Sequence, residues 1–298
     1  MRHPRQASRR PDGVALIAVL WLIALLTLLA TTVTTMSVGL RRAVVRSQQH
    51  LQLQYTADSA IRVTLLQLVA PQRPRARFVL NQQSRLTLFG TAVDVVIRRE
   101  SGCIDLNRAP EDLLFATFVA DGWDERRARA MAARIADWRD ADDLTRDLGA
   151  ERAEYAAAGL RYEPRNGPFE SVDELRQVLG GESISAALMD AFTVYSHLPE
   201  PTAVFANPAA YRALLYADAH RLGDRTWLAD SEARSEGADA LPADETPSLD
   251  GEVVRVTACV GSGDTRVCRS VYSRPTGNVH KPLQVFDWKD AAVELRQL

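Results

Sequence analysis

The sequence Val14-Ala-Leu-Ile-Ala-Val-Leu-Trp-Leu-Ile-Ala-Leu-Leu-Thr-Leu-Leu-Ala30 lies at the centre of an uncharged segment that runs from Gly13 to Leu40. A bilayer core about 30 Å thick needs about 20 helical residues, at a rise of about 1.5 Å each. A soluble helix that is apolar on every side would need a shell of surrounding protein, which an N-terminal segment rarely has. The segment therefore predicts a transmembrane helix over residues 14–40.

The two flanks of this segment differ in character. Before it, four arginines stand against one acid, Asp12, and such a positive flank is typical of the cytoplasmic side. After it, residues 41–70 contain no proline or glycine, and apolar residues recur at a spacing that suits an amphipathic helix. We expect one long helix in a single-pass protein of the inner membrane, with a short cytoplasmic N-terminus and a periplasmic bulk.

Composition excludes several classes of protein. The chain has 298 residues, 46% of them hydrophobic, and 36 basic residues stand against 38 acidic ones. These values exclude a disordered chain, a collagen and a multi-span membrane protein. Because the net charge is −2, the chain also lacks the overall positive field of a general nucleic-acid binder.

Strand patterns flank a helical region in the rest of the chain. Residues 91–99 alternate in a way that predicts a half-buried strand. Two helices around Asp121-Gly-Trp-Asp124 predict a helix-hairpin-helix-like unit, and Ser171-Val-Asp-Glu174 is a capping box. Residues 252–260 and 265–272 alternate like a β-hairpin, so we expect the sheet to resume after the helical region.

The basic leader that ends in Gly13 and precedes an apolar helix resembles the class III signal of type IV pilins and pseudopilins. The resemblance implies that the prepilin peptidase cuts between Gly13 and Val14 and methylates the new N-terminus. The first mature residue is Val14, where the family usually has Phe, and the fifth is Ala18, where it usually has Glu. The missing Glu is a feature of the K-type minor pseudopilin, which sits at the tip of the filament.

Several short sequence motifs also resemble those of the K-type minor pseudopilins of type II secretion (general secretion pathway protein K). They occur in the family's order and are Asp105-Leu-Asn107, Asp137-Trp-Arg-Asp-Ala-Asp-Asp143, Gly149-Ala-Glu151, Tyr155, Arg165-Asn-Gly-Pro-Phe-Glu170 and Glu174-Leu-Arg-Gln-Val-Leu-Gly180. The resemblance implies an α+β fold. In it, a long N-terminal transmembrane and amphipathic helix packs on a small, pilin-like antiparallel sheet, and a helical domain is inserted.

This resemblance divides the chain into five parts. They are a basic prepilin leader (1–13), a transmembrane helix segment (14–40), an amphipathic helix with the first strands of the pseudopilin body (41–100), an inserted α-helical domain (101–198) and the remainder of the body with its C-terminal hairpin (199–298).

The resemblance also implies assembly rather than catalysis. Its partners would be the I- and J-type minor pseudopilins, the prepilin peptidase, the inner-membrane secretion platform and, further, the secreted substrates. None of the five histidines has a metal spacing or lies beside a candidate nucleophile, so the sequence offers no catalytic residue.

Acidic residues and one amide cluster around a single bend, and they are Asp140, Asp142, Asp143, Glu151, Glu154 and Asn166. Calcium binds six to eight oxygens of such groups at about 2.3–2.6 Å. The alternative is a solvated acidic loop neutralised by neighbouring arginines. Since calcium binding in this domain is a property of the family, the resemblance favours the metal site, with Asp140, Asp142 and Glu151 as first ligands.

The helix-hairpin-helix-like unit also suggests a second function, that of a membrane-tethered receptor for DNA uptake. Such units bind duplex phosphates through the backbone N–H groups of a glycine-rich hairpin. From Asp121 to Glu154, however, ten acids outnumber seven arginines, and a field of −3 repels DNA. The charge favours a protein partner and no nucleic acid.

The C-terminal hairpin places two of the three cysteines together. With Gly263 and Asp264 as the central turn residues, Cys259 and Cys268 lie opposite each other in a non-hydrogen-bonded pair. Such pairs have Cα atoms about 4.5 Å apart, within the disulfide range of about 4.4–6.8 Å. In an oxidising periplasm we expect a disulfide, with Cys103 left free or buried.

Overall fold

A computed structural model describes residues 12–70, 83–222, 249 and 251–291. The leader residues before Asp12 lie outside the described residues. So do residues 77–80, whose pattern predicts a strand, and most of residues 234–251, whose polar composition predicts a loop. At the predicted processing site, the side chain of Val14 lies outside them too.

The first of two compact units comprises residues 1–53, and its described part belongs to helix α1, Asp12–Val69. Large apolar side chains between Leu16 and Leu29 are 51–73% exposed. The Thr27 hydroxyl donates to the Ala24 carbonyl at 2.8 Å, so this polar group is satisfied within the helix. Among the described residues, no helix is both long and apolar enough to cross a membrane.

The second unit, residues 54–298, contains a five-stranded antiparallel sheet. In chain order the strands of the whole unit are β1 Gln83–Leu88, β2 Thr91–Arg99, β3 Ile104–Asp105, β4 Phe192–Thr193, β5 Val254–Val260, β6 Val267–Pro275 and β7 Leu283–Asp290. The sheet has the order β1-β2-β5-β6-β7, so β2 pairs directly with β5. Everything between Arg99 and Val254 is therefore inserted between two neighbouring strands.

The end of α1 belongs to the same unit as the sheet. Ala57, Ala60 and Ile61 are fully buried there. The Asp58 carboxylate accepts a hydrogen bond from Nε of Arg269 in β6 at 3.0 Å. The amphipathic pattern after residue 41 thus ends in a face that packs in the body.

The insertion is mainly helical. Its helices are α2 Glu111–Ala120, α3 Glu125–Arg139, α4 Arg152–Ala157, α5 Ala186–Met189 and α6 Pro208–Ala219, with short 3₁₀ turns such as Val172–Arg176. β3 and β4 form a parallel pair that brings the two ends of the helical region together. Asp105, buried at this point, accepts the N–H of His197 at 2.7 Å.

Helix α6 packs with the helical insertion. Its Ala210, Ala213 and Leu214 belong to the same buried core as the side chains of α2. The rings of Phe115 and Tyr216 meet edge to face at 6.4 Å. Helix α6 lies beyond the predicted boundary at residue 198, and its apolar side belongs to the buried core that it shares with α2.

The C-terminal hairpin has the expected register. Cys259 lies opposite Cys268 in the β5–β6 pair, and the two form a disulfide with Cα atoms 4.1 Å apart. Cys103 is a free, buried thiol. Burial raises the pKa of the Cys103 thiol to about 12, so this group is chemically inert.

Candidate functional site

The candidate site is the bend that connects α3 to α4, together with the acidic residues around it, and we call it the acidic bend. It is organised by Asp137, a fully buried carboxylate in the last turn of α3. Its Oδ2 accepts the N–H of Ala150 at 2.8 Å, and its Oδ1 accepts from Nη1 of Arg146 at 2.6 Å. A Cβ on Gly149 would lie 2.0 Å from Oδ2 of Asp137, so only glycine fits there.

Two of the predicted ligands open helix α4. Glu154 accepts the backbone N–H of Glu151 at 2.8 Å, which satisfies a donor at the start of the helix. Glu151 is only 3% exposed, and its side chain forms a reciprocal capping box with Glu154. Beyond this local contact, its carboxylate oxygens have no hydrogen-bond partner among the described residues. Burial, followed by the charges of Asp137 and Asp140, raises the pKa of Glu151 to about 7.

The remaining predicted ligands face Glu151 from the bend and from the loop that follows α4. Asp140 pairs with Arg146 through Oδ2, while its Oδ1 is buried without a partner among the described residues. Asn166 donates through Nδ2 to Oδ1 of Asp143 at 2.8 Å, and the Asn166 Oδ1 is also buried and unpartnered within that part of the chain. Asp142 Oδ1 accepts the N–H of Leu144 at 2.9 Å.

The fold thus brings the six predicted residues to one place. Asp140, Asp142 and Asp143 all contribute to the raised pKa of Glu151. Asp140, Glu151 and Asn166 each present buried side-chain oxygens of the kind that an oxygen-preferring cation binds. As they lie, however, no group of three or more His, Cys, Asp or Glu side chains among the described residues is placed to hold a metal ion.

Sequence patterns did not assign Asp137, Arg146 and Gly149 to the site. Arg146 forms ion pairs with both Asp137 and Asp140, which leaves one negative charge on these three residues. Gly149 was the one local signal, because glycine lets another group approach the backbone closely.

A second charged cluster joins the insertion to the sheet. Arg255 of β5 donates through Nε to Oε1 of Glu100 at 3.0 Å and through Nη1 to Oδ1 of Asp190 at 2.5 Å. Arg98 also pairs with Asp190. Burial raises the pKa of Glu100, and the charge of Arg255 opposes that rise. This cluster borders a cleft of about 460 Å³ and fixes the end of the helical region against the sheet.

The region that holds the acidic bend has relatives among known proteins. A family model described as type II secretion system (T2SS), protein K, matches residues 105–196, from β3 to just beyond β4. Residues 105–196 are thus similar to the domain that this model describes, and we call them the protein K domain. The acidic bend lies wholly inside the protein K domain, whereas Arg255 and Glu100 lie outside it.

Longer matches agree with the protein K domain. The chain is 27% identical over 207 residues to type II secretion system protein K of Klebsiella pneumoniae, which is 63% of this chain and 63% of that protein. It is 26% identical over 198 residues to the protein K of Pectobacterium carotovorum subsp. carotovorum, 58% of this chain and 60% of that one. The match thus spans less than two thirds of each relative.

A solved structure shares the fold around the protein K domain. It is a chain in the crystal structure of the GspK-GspI-GspJ complex from the type 2 secretion system of enterotoxigenic Escherichia coli. The TM-score is 0.54 at 16% identity, and the match covers 83% of this chain and 98% of that chain. None of these matches supports the DNA-uptake alternative.

Proposed function

We propose that this chain is a minor pseudopilin at the tip of the type II secretion pseudopilus. There it assembles with other minor pseudopilins to initiate or cap the filament for protein export across the outer membrane. The observation that carries the proposal is the protein K domain inserted between β2 and β5 of an antiparallel sheet, in a chain that also carries the long helix α1. Its mechanism is assembly, with the α2–α3 pair as a helix-hairpin-helix-like packing unit rather than a DNA-binding one.

Two features support a position at the tip: the size of the helical insertion and the absence of a carboxylate at Ala18. A helical insertion of this size on every subunit would obstruct the stacking of a narrow filament, whereas a terminal subunit meets no such limit. Ala18 stands where the pilin families carry Glu, and a terminal subunit has no neighbour above it whose amino terminus needs that charge. A carboxylate without a partner would be costly in lipid.

The chain is anchored in the inner membrane by residues 14–40, with its bulk in the periplasm. The exposed apolar side chains between Leu16 and Leu29 support this. The uncharged sequence also continues on both sides of them, from Gly13 to Leu40. The I- and J-type minor pseudopilins and the inner-membrane platform are the partners, and exported proteins are further candidates. The fold shared with a chain of the GspK-GspI-GspJ complex is in keeping with the I- and J-type partners.

Substituting Gly13→Ala should block cleavage by the prepilin peptidase, because the peptidase reads the glycine before the cut. Wild-type chain isolated from membranes should begin at Val14 with a methylated amine, and the Gly13→Ala chain should retain residues 1–13. Intact-mass spectrometry distinguishes the two. Gly39→Ala, the same substitution within the same uncharged segment, is the control and should be processed normally. An intact Met1 in the wild-type chain would contradict the proposal.

The acidic bend is a calcium site in this proposal. Asp140, Glu151 and Asn166 would contribute their unpartnered oxygens, with Asp142, Asp143 and Glu154 as further ligands. Calcium would supply the positive charge that this cluster lacks and would hold the bend rigid. Since a ligand carboxylate must be deprotonated, calcium displaces the proton that the raised pKa of Glu151 favours.

Calcium should therefore raise the melting temperature of the wild-type chain. At a free concentration a hundred times the dissociation constant, the stabilisation is about 2.7 kcal/mol. The effect should shrink below about pH 6, where Glu151 is protonated, and Glu151→Gln should remove most of it. Glu163→Gln, which removes an exposed acid that pairs with Arg152, is the control. Equal melting temperatures in calcium and in EDTA would contradict the site.

A further inference from the structure

Helix α3 carries a set of arginines without acidic partners. Arg126, Arg127, Arg129 and Arg134 belong to this helix, and none of them forms an ion pair with a carboxylate within the described residues. Arginines elsewhere, such as Arg146 and Arg255, do form such pairs. These four guanidinium groups concentrate positive charge on α3, although the acids around the helix give residues 121–154 a net charge of −3.

Three of these arginines line one groove. It has a volume of about 310 Å³, and Trp123, Met131 and Leu148 form its apolar wall. We call it the arginine groove and define its polar side by Arg126, Arg127 and Arg134. Asp124 is the only acid that lines it among the described residues, and its Oδ1 already accepts the N–H of Arg127 at 3.0 Å.

Two of the three guanidinium groups of the arginine groove, those of Arg127 and Arg134, are held in place by neutral partners. That of Arg127 lies 3.8 Å from the ring centre of Trp123 and donates through Nη2 to the Ser183 hydroxyl at 2.7 Å. Arg134 donates through Nη1 to the Leu179 carbonyl at 2.8 Å, and its Nε is buried without a partner among the described residues. Side chains that are already oriented lose little entropy when a ligand binds.

We propose that the arginine groove binds an extended, acidic segment of a partner protein. Arg126 and Arg134 are eight residues apart, or about 12 Å along the helix. One small anion cannot span that distance, whereas about four residues of extended chain can, at about 3.3 Å each. Guanidinium groups match carboxylates in geometry, and the apolar wall suits a hydrophobic side chain between the acids. This contact is not required by the assembly role proposed above, and its test does not involve assembly.

The experiment measures binding of a fluorescent peptide to the full chain in mild detergent. The probe alternates glutamates with one phenylalanine, and its control has glutamine at every glutamate. We expect the glutamate peptide to bind at least about tenfold more tightly, and added salt to weaken it. Arg126→Gln with Arg127→Gln should weaken binding about tenfold or more. Arg129→Gln, whose side chain instead lies over Phe115, should change it by less than about twofold.

Several results would overturn the proposal. Equal affinities for the two peptides would show that the glutamates are not recognised. An equal loss of affinity in Arg129→Gln and in the double variant would show that binding depends on the overall charge of the chain rather than on the arginine groove. Displacement of the peptide by millimolar inorganic phosphate would indicate a small-anion site, and stronger binding of a short DNA duplex would indicate a nucleic-acid site. Circular dichroism checks folding. Arg126→Gln alone, at an exposed side chain, replaces the double variant if that variant is unfolded.

Discussion

Replacing Arg255 by methionine is expected to lower the free energy of unfolding by about 3–5 kcal/mol. The Arg255 side chain is 10% exposed, and that of its partner Glu100 is fully buried. Without the guanidinium, Glu100 loses its hydrogen bond and its counter-ion, and Asp190 loses one of two arginines. A buried charge left without a partner is among the largest single-site costs in a protein. Urea unfolding of the full chain in mild detergent measures the change.

The matched control is Arg85→Met. Arg85 and Asp94 form an ion pair with the same 3.0 Å separation, but the Arg85 side chain is 69% exposed. Its loss should cost at most about 1 kcal/mol, because water already solvates both charges. Adding Glu100→Gln to Arg255→Met should restore part of the stability, since it removes the stranded charge. Equal costs for Arg255→Met and Arg85→Met would show that burial of the cluster contributes nothing.

Removing the disulfide, by Cys259→Ala with Cys268→Ala, should lower the free energy of unfolding by about 2–3 kcal/mol. The two cysteines are nine residues apart, so the bond closes a short loop and restricts the unfolded chain only moderately. Both side chains are buried in the sheet, and alanine leaves no unsatisfied polar group there.

Reductant provides the internal control for this prediction. It should destabilise the wild-type chain to about the level of the double alanine variant, and it should leave that variant unchanged. Cys103 is common to both chains and is free in each, so it cancels in the comparison. Three titratable thiols in denatured, unreduced wild-type chain would refute the disulfide outright.

Local patterns predicted the parts of the fold that depend on neighbours in sequence. The β5–β6 register followed from one turn, because hairpin pairing is fixed once its central residues are known. Strand β7, Leu283–Asp290, was not predicted, since it is half exposed on both faces and offers no alternation of buried and exposed residues. A register shift between Tyr272 and Ser273 further obscures its pairing with β6.

The candidate site also combines residues that local sequence predicts with residues that only the fold brings together. The acids of the bend were found from composition and from the family's words. The role of Asp137 was not, because two of its partners are the backbone N–H groups of Arg146 and Ala150, which no side-chain pattern reveals. The cluster of Glu100, Asp190 and Arg255 joins residues far apart in the chain, so no local signal exists for it. Long-range charge pairing is visible only once the fold is known.

The pairing of β2 with β5 has a consequence for how such a chain could arise. The N–H of Glu100 donates to the carbonyl of Val253 at 2.9 Å, so the ladder closes where the insertion begins and ends. A sheet with β2 and β5 joined by a tight turn would keep every strand neighbour it now has. A single genetic insertion could then add the whole helical region without disturbing the ancestral meander. Asp190 would have arrived with that insertion, and it now pairs with Arg98 and Arg255 of the two strands that flank it.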